Sequence, residues 1–185
     1  MLRLKRIEDS ASSIKLVAPI STNYKAKQTN HAIQTTLIVA TNEYKYLASI
    51  DTHFGELPPV ICNVGELNQV FLNMIVNAAH AIHDAGKDVS NGGTISIRTE
   101  VVGEQVHITF SDNGCGISQE NLDKIYDPFF TTKEVGRGTG QGLAITRSIV
   151  MDKHGGEVHA TSEVGAGTQF TIRLPIAGRH AGANS

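Results

Sequence analysis

Asn73, Asn77 and His80 stand at steps of four and three, which at 3.6 residues per turn puts them on one narrow stripe of a helix. An amide oxygen is a neutral hard ligand, suited to completing the shell of a Mg²⁺ that substrate phosphates already hold. Taken alone, two asparagines on a helix are better explained as solvated or as caps for nearby backbone, and His80 reads as an ordinary surface histidine. A second group is Asp112-Asn113-Gly114-Cys115-Gly116-Ile117, which follows a strand-like run directly. Asp112 can accept a hydrogen bond from an exocyclic amine while glycines let a flat ring approach backbone. An adenine amino group suits that acceptor, whereas the guanine carbonyl would oppose it. The plainer reading is a tight turn with a solvated aspartate, and Cys115 reads as a small filler residue.

The third group is Asp127-Pro128-Phe129-Phe130-Thr131-Thr132-Lys133, followed by Gly136-Arg137-Gly138-Thr139-Gly140-Gln141-Gly142-Leu143. Glycine-freed backbone amides at a helix N-terminus form a phosphate site, with Lys133 and Arg137 as cations on a flexible cover. The alternating glycines lack a following Gly-Lys-Ser/Thr and an immediately preceding strand, so neither a P-loop nor a dinucleotide fingerprint is present. A simple glycine linker would have no use for Phe129 and Phe130. The fourth group, Gly165-Ala166-Gly167-Thr168-Gln169-Phe170, reads by itself as a hairpin turn.

These groups need elements to hold them. A helix is expected from Asn30, taken as its cap, with Ile33, Leu37, Ala40, Tyr44 and Leu47 as its apolar positions. A strand over 48–54 follows, then Pro58-Pro59 and a capping signal of Asn63 with Glu66 three residues on. The longest helix, about 66–85, has the stripe Leu67, Val70, Phe71, Met74, Ile75, Ala78, Ala79 and Ile82. The period then changes to two over 95–101 and 106–110, which predicts a hairpin. Residues 112–142 are too long for an ordinary connection, which points to function. A helix over 143–153 stops at His154-Gly155-Gly156, and a last hairpin pairs 157–161 with 168–174. The expected fold is a two-layer α/β sandwich, a mixed and mostly antiparallel sheet with helices on one face.

In this order and spacing, the four groups resemble the N, G1, F with G2, and G3 boxes of sensor histidine kinase catalytic domains, within the gyrase, Hsp90, histidine kinase and MutL ATPase superfamily. The resemblance covers about residues 30–175, leaving 1–29 as a linker or the end of an upstream dimerisation helix and 176–185 as a flexible tail. It implies a Bergerat-type fold that binds Mg·ATP beneath a lid. Asn77 then matches the metal-coordinating asparagine, with Asn73 in support. Asp112 matches the adenine-reading aspartate, with Gly114, Gly116 and Ile117 beside the base. Gly138, Thr139, Gly140, Gly142 and Leu143 match the lid-to-helix phosphate segment, Thr168 the threonine near adenine, and Lys133 and Arg137 the phosphate contacts. His80 departs from the Lys or Arg of many members.

Hydrolysing branches of that superfamily carry a water-activating glutamate where this chain has Asn73, and an amide cannot act as a general base. Phosphoryl transfer to a histidine needs alignment and charge neutralisation instead. No histidine here, His31, His53 and His83 included, sits in a phosphoacceptor context. The fragment is therefore expected to bind ATP without autophosphorylating, with dimerisation helices and a response regulator as partners. The alternatives are an anti-sigma-factor-type serine kinase and a nucleotide-binding regulatory module without phosphotransfer. Over 185 residues, 16 Lys+Arg against 18 Asp+Glu give a net charge of -2, which argues against nucleic-acid or direct membrane binding. The two cysteines, Cys62 and Cys115, are far apart and suit free thiols in a reducing, cytoplasmic setting.

Overall fold

The structure is a computed structural model and describes residues 25–133 and 138–178. The readings of residues 1–24 and 179–185, and of Arg137, therefore lie outside the described residues. The elements in chain order are β1 (Lys25–Lys27), α1 (Thr29–Val39), α2 (Thr41–Tyr44), β2 (Ser49–Phe54), β3 (Val60–Cys62) and α3 (Val64–Asp84). After a 3-10 turn at Val89–Asn91 come β4 (Thr94–Val102), β5 (Gln105–Asp112), α4 (Gln119–Leu122), α5 (Gly142–Arg147), β6 (Glu157–Glu163) and β7 (Gly167–Pro175).

The main sheet has the order β2-β4-β5-β7-β6. Only β2 against β4 is parallel, and the remaining pairs are antiparallel. Residues alternate between faces along a strand. Ile95, Ile97, Val106, Ile108, Phe110, Phe170, Ile172 and Leu174 accordingly point inward and are buried. Arg98, Glu100, His107 and Arg173 share the opposite, polar face. The helices cover the inward face, so the expected two-layer α/β sandwich is what forms.

The stripe on α3 supplies the other half of the core. All eight of its expected apolar positions are buried, and Phe71 meets Phe110 of β5 with ring centroids 5.9 Å apart. Asn63 caps this helix by accepting from the Gly65 and Glu66 amides. The reciprocal half of the expected capping box does not form. Glu66 instead pairs with Lys153 at 2.7 Å, and the Asn63 amide donates to His154 Nε2 at 3.1 Å. His154 is 2% exposed, and with Nε2 accepting, its Nδ1 carries the proton and donates to the Ile149 carbonyl at 2.8 Å. Ile149 also receives the His154 backbone amide, and this wider i to i−5 winding continues α5 as a π-helix over Ser148–Lys153.

Several local expectations differ from the structure. Asn30 lies inside α1, whose N-cap is Gln28. The Asn30 amide reaches instead to the Gly55 carbonyl and the Thr99 hydroxyl, both at 2.8 Å, tying α1 to the sheet. The single helix expected as far as Leu47 breaks at Ala40, because the Thr41 hydroxyl bonds the Leu37 and Ile38 carbonyls and satisfies acceptors that a continuing helix would use. Lys25–Lys27, expected to be linker or helix, form a strand paired with Val60–Cys62, itself unforeseen. Ile176 and Gly178, read as tail, pack on the body: the Ile61 amide donates to the Ile176 carbonyl, and Gly178 lies against Ile61.

Phe71→Ala is expected to lower unfolding free energy by about 3–5 kcal/mol, whereas Ile38→Ala, at a side chain 75% exposed, should stay within about 0.5 kcal/mol. Urea denaturation followed by circular dichroism distinguishes the two.

Candidate nucleotide site

The site begins at the C-terminal half of α3. Asn73, Asn77 and His80 are half-buried beside its apolar stripe, positioned by helical spacing once that stripe faces the sheet. Asn73 Nδ2 donates to the Gly142 carbonyl at 3.0 Å and to the Thr146 hydroxyl at 3.4 Å. It therefore fastens the start of α5 to α3. Asn77 Oδ1 accepts from the Lys133 ammonium at 3.3 Å, and the same ammonium lies 3.0 Å from His80 Nδ1. Thus three residues from two sequence groups meet at one point, with a cation on the Asn77 oxygen.

The second wall is the loop after β5. The Cys115 amide donates to the Ala81 carbonyl at 2.9 Å, which presses this loop against the end of α3. A Cβ at Gly114 would come within 2.5 Å of the Ala81 backbone, and Gly116 has φ +72 with the Glu163 carbonyl 2.1 Å from where a Cβ would sit. Only glycine meets both demands. Asp112 Oδ1 accepts the Gly114 amide at 2.8 Å.

Burial of Asp112 pushes its carboxyl up to about 6, opposed by hydrogen bonds from the Gly114 and Thr168 amides and by the charge of Lys87. Its cost to the fold is that of a charge partly removed from water. At neutral pH it is ionised and acts as an acceptor.

Thr168 faces Asp112 across the β5–β7 ladder. The Ser162 hydroxyl donates to the Gly167 carbonyl and accepts from the Ile117 amide, both at 2.8 Å. Its single proton being used, the Thr168 hydroxyl is the donor in their 2.9 Å contact. Ile117 and Thr168 are thus joined through Ser162, which sequence reading did not single out. Ser162 stands directly opposite Thr168 in the last hairpin, one residue beyond the strand expected from sequence, so its place was set by the register alone. Lys87 was also missed, and no local pattern marks it.

The cover leaves this wall after α4. Phe129 has φ 68 and is 71% exposed. A left-handed conformation costs a bulky residue about 1–2 kcal/mol, offset here by the Phe129 amide donating to the Gly140 carbonyl at 2.9 Å. The Lys133 stem passes beneath Gly138, where a Cβ would meet its Cδ at 3.2 Å. Gly138 and Thr139 are exposed, while Leu143 is packed against the core. At the root of the cover, the Arg147 guanidinium lies 5.6 Å from the Tyr126 ring centroid.

The donors fit a nucleotide with its own metal. Among the described residues no three His, Cys, Asp or Glu side chains converge as a metal site; the Asn77 oxygen is a neutral hard donor, the type that completes the shell of an ion held mainly by phosphates. The Lys133 ammonium on that oxygen indicates that it accepts a cation.

Residues 62–178 match the family described as histidine kinase-, DNA gyrase B-, and HSP90-like ATPase. The chain is 32% identical over 178 residues to Sporulation kinase E of Bacillus subtilis (strain 168), covering 94% of the chain and 23% of that protein. It is 39% identical over 120 residues to sensor histidine kinase ZraS of Escherichia coli (strain K12), covering 65% of the chain and 24% of that protein. The chain thus spans about a quarter of the length of these relatives. The nucleotide-free catalytic domain of histidine kinase ThkA superposes with a TM-score of 0.67 at 27% identity, over 83% of this chain and 96% of that one. ThkA in complex with response regulator protein TrrA matches with a TM-score of 0.65 at 26% identity, over 83% of this chain and 42% of that one.

Since the folded carboxyl of Asp112 titrates near 6 against 3.8 for the free group, the folded state holds its proton more tightly than the unfolded chain does. Stability from this group is full below 3.8 and is lost as pH rises through about 6. Asp112→Asn should therefore raise unfolding free energy at pH 7.5 by up to about 3 kcal/mol, with the gain shrinking towards pH 4 in urea titrations.

Proposed function

Since the chain belongs to the histidine kinase-, DNA gyrase B-, and HSP90-like ATPase family, we propose that it is the catalytic ATP-binding domain of a two-component sensor histidine kinase. In this reading it presents Mg·ATP for transfer of the γ-phosphoryl group to a histidine on dimerisation helices outside residues 30–175. The single observation that carries this reading is the convergence of Asn77 and Lys133 at one point, beside a loop that holds the Asp112 carboxylate.

Each side chain has a distinct task. Asp112 accepts from the adenine amino group, while Gly114 and Gly116 let the base lie close to backbone. Ile117 and Thr168, joined through Ser162, shape the pocket beside it. Asn77 would supply one oxygen to a bound Mg²⁺, and the ion would offset the charge of the phosphates. Lys133 reaches the phosphates by exchanging its Asn77 and His80 contacts for them. Gly138, Thr139, Gly140 and Gly142 line the phosphate end, the sequence offers Arg137 as a further phosphate contact, and Leu143 fixes the start of α5 to the core.

Asn73 acts by position. Its amide is committed to Gly142 and Thr146, which supports the absence of a general base for water and favours transfer over hydrolysis. A response regulator is the proposed downstream acceptor, and the setting is the cytoplasmic side of a bacterial sensor kinase. Among the described residues no helix is long and apolar enough to cross a membrane.

Calorimetric titration should give ATP binding strengthened by Mg²⁺, with GTP at least about 10-fold weaker, the loss expected when a buried acceptor meets the wrong group. Asn77→Ala should remove the Mg²⁺ dependence. Incubation with ATP and a dimerisation domain carrying an acceptor histidine should then yield acid-labile phosphohistidine. Equal binding of GTP would overturn the adenine assignment, and phosphate appearing only on a partner serine would replace the acceptor class.

A further inference from the structure

We propose that Lys87 is a positioning residue for adenine recognition: its ammonium, seated on the Asn113 carbonyl, holds the Asp112–Gly116 loop and keeps Asp112 an anionic acceptor. The inference rests on the adenine-reading role of Asp112 and extends the site to a segment that no sequence motif marks.

The contact itself is short, with Lys87 Nζ donating to the Asn113 carbonyl at 2.7 Å. Asn113 is held on its other sides as well. Its Oδ1 accepts the Thr94 amide at 3.0 Å, and its Nδ2 donates to the Gly92 carbonyl at 2.8 Å. The segment bearing Lys87 is equally tied down. Lys87 N–H bonds the Ile82 carbonyl, and Gly93 N–H bonds the Asp88 carbonyl at 2.7 Å. Asp88 forms a complete capping box with Asn91 over the 3-10 turn. Lys87 therefore projects from a braced turn at the end of α3 onto the residue between Asp112 and the glycines that admit the base.

The charge matters as much as the contact. The groups facing Asp112 are the Gly114 amide from its own loop, the Thr168 amide from β7 and the Lys87 ammonium beyond α3. Asp84 at the end of α3 and Lys133 of the cover act on the neighbouring Cys115 thiol. Of these, Lys87 is the cation that acts on Asp112, and it favours the ionised form against burial. A protonated carboxyl turns one oxygen into a donor and leaves the other a weaker, uncharged acceptor, so the anion is the form that accepts best from the adenine amino group.

The sign follows. Without the ammonium, burial is less opposed and Asp112 keeps its proton to higher pH. If the carboxyl becomes about tenfold more avid for its proton, ATP binding falls by up to about fivefold at pH 6 and by under about 1.2-fold at pH 8. A purely structural role would weaken binding by the same factor at both.

The test is calorimetric titration of the full chain with Mg·ATP at pH 6, 7 and 8, comparing wild type, Lys87→Gln, Lys87→Arg and Asp112→Asn, with melting temperatures to confirm folding. The expected result is a Lys87→Gln deficit that is several-fold larger at pH 6 than at pH 8, together with near wild-type behaviour of Lys87→Arg. A deficit that is absent, or constant across pH, overturns the positioning role. Should Lys87→Gln melt at assay temperature, the arginine variant carries the test through raised salt: screening should weaken its binding more at pH 6 than at pH 8, and equal effects overturn the proposal. Retained tight binding by Asp112→Asn would instead remove the adenine reading beneath it.

Discussion

The burial of one face of α3 against β4, β5 and β7 is the constraint from which the rest of the structure follows. Leu67, Phe71, Met74, Ile75 and Ile82 are each no more than 1% exposed, and a helix that commits this stripe to the sheet has no rotational freedom left. Asn73, Asn77 and His80 must then lie along the flank of the same helix, at the margin between core and solvent. Hydrophobic packing is thus what aims the polar groups. Any rotation of α3 that moved Asn77 towards or away from a phosphate would also expose apolar surface, at about 25 cal/mol per Å².

Both ends of that helix are then used as anchoring points. At its start, Asn63 meets His154, and Glu66 meets Lys153, which locks α3 to the helical turns after the phosphate segment. At its end, Ala81 receives the Cys115 amide, and the turn beyond it carries Lys87 to Asn113. The loop after β5 and the segment that opens α5 are separate stretches of chain held to different parts of one helix. Their separation is set by the geometry of that helix.

The polar groups reveal what this arrangement costs. Asp112 is held where burial resists its charge, and Phe129 is held in a left-handed conformation. Natural folds concentrate such unfavourable features at sites that work. Here they fall in the loop after β5 and in the segment after α4, both of which belong to the proposed nucleotide site. The same reasoning separates Asn73 from Asn77: one has its amide committed to Gly142 and Thr146, while the other presents its oxygen to a cation.

The elements with a local signature were legible in the sequence alone. The period of α3, the cap at Asn63, the alternation of β4 and β5 and the glycines of the last hairpin are short-range effects, decided within a few residues by sterics and burial. The same holds for the four motif groups, whose order along the chain identified the fold and the kind of site. What only tertiary structure decided are contacts between distant residues: Lys87 with Asn113, 26 positions apart, Ile117 with Ser162, 45 apart, and Asn63 with His154, 91 apart. The pairing of β1 with β3 belongs with these, since it depends on a partner strand, whereas the break at Ala40 is a local competition by the Thr41 hydroxyl that apolar periodicity does not reveal. A lysine, a serine and a histidine in such places look ordinary in sequence, because a side chain's chemistry is set by what the folded chain brings within about 3 Å of it.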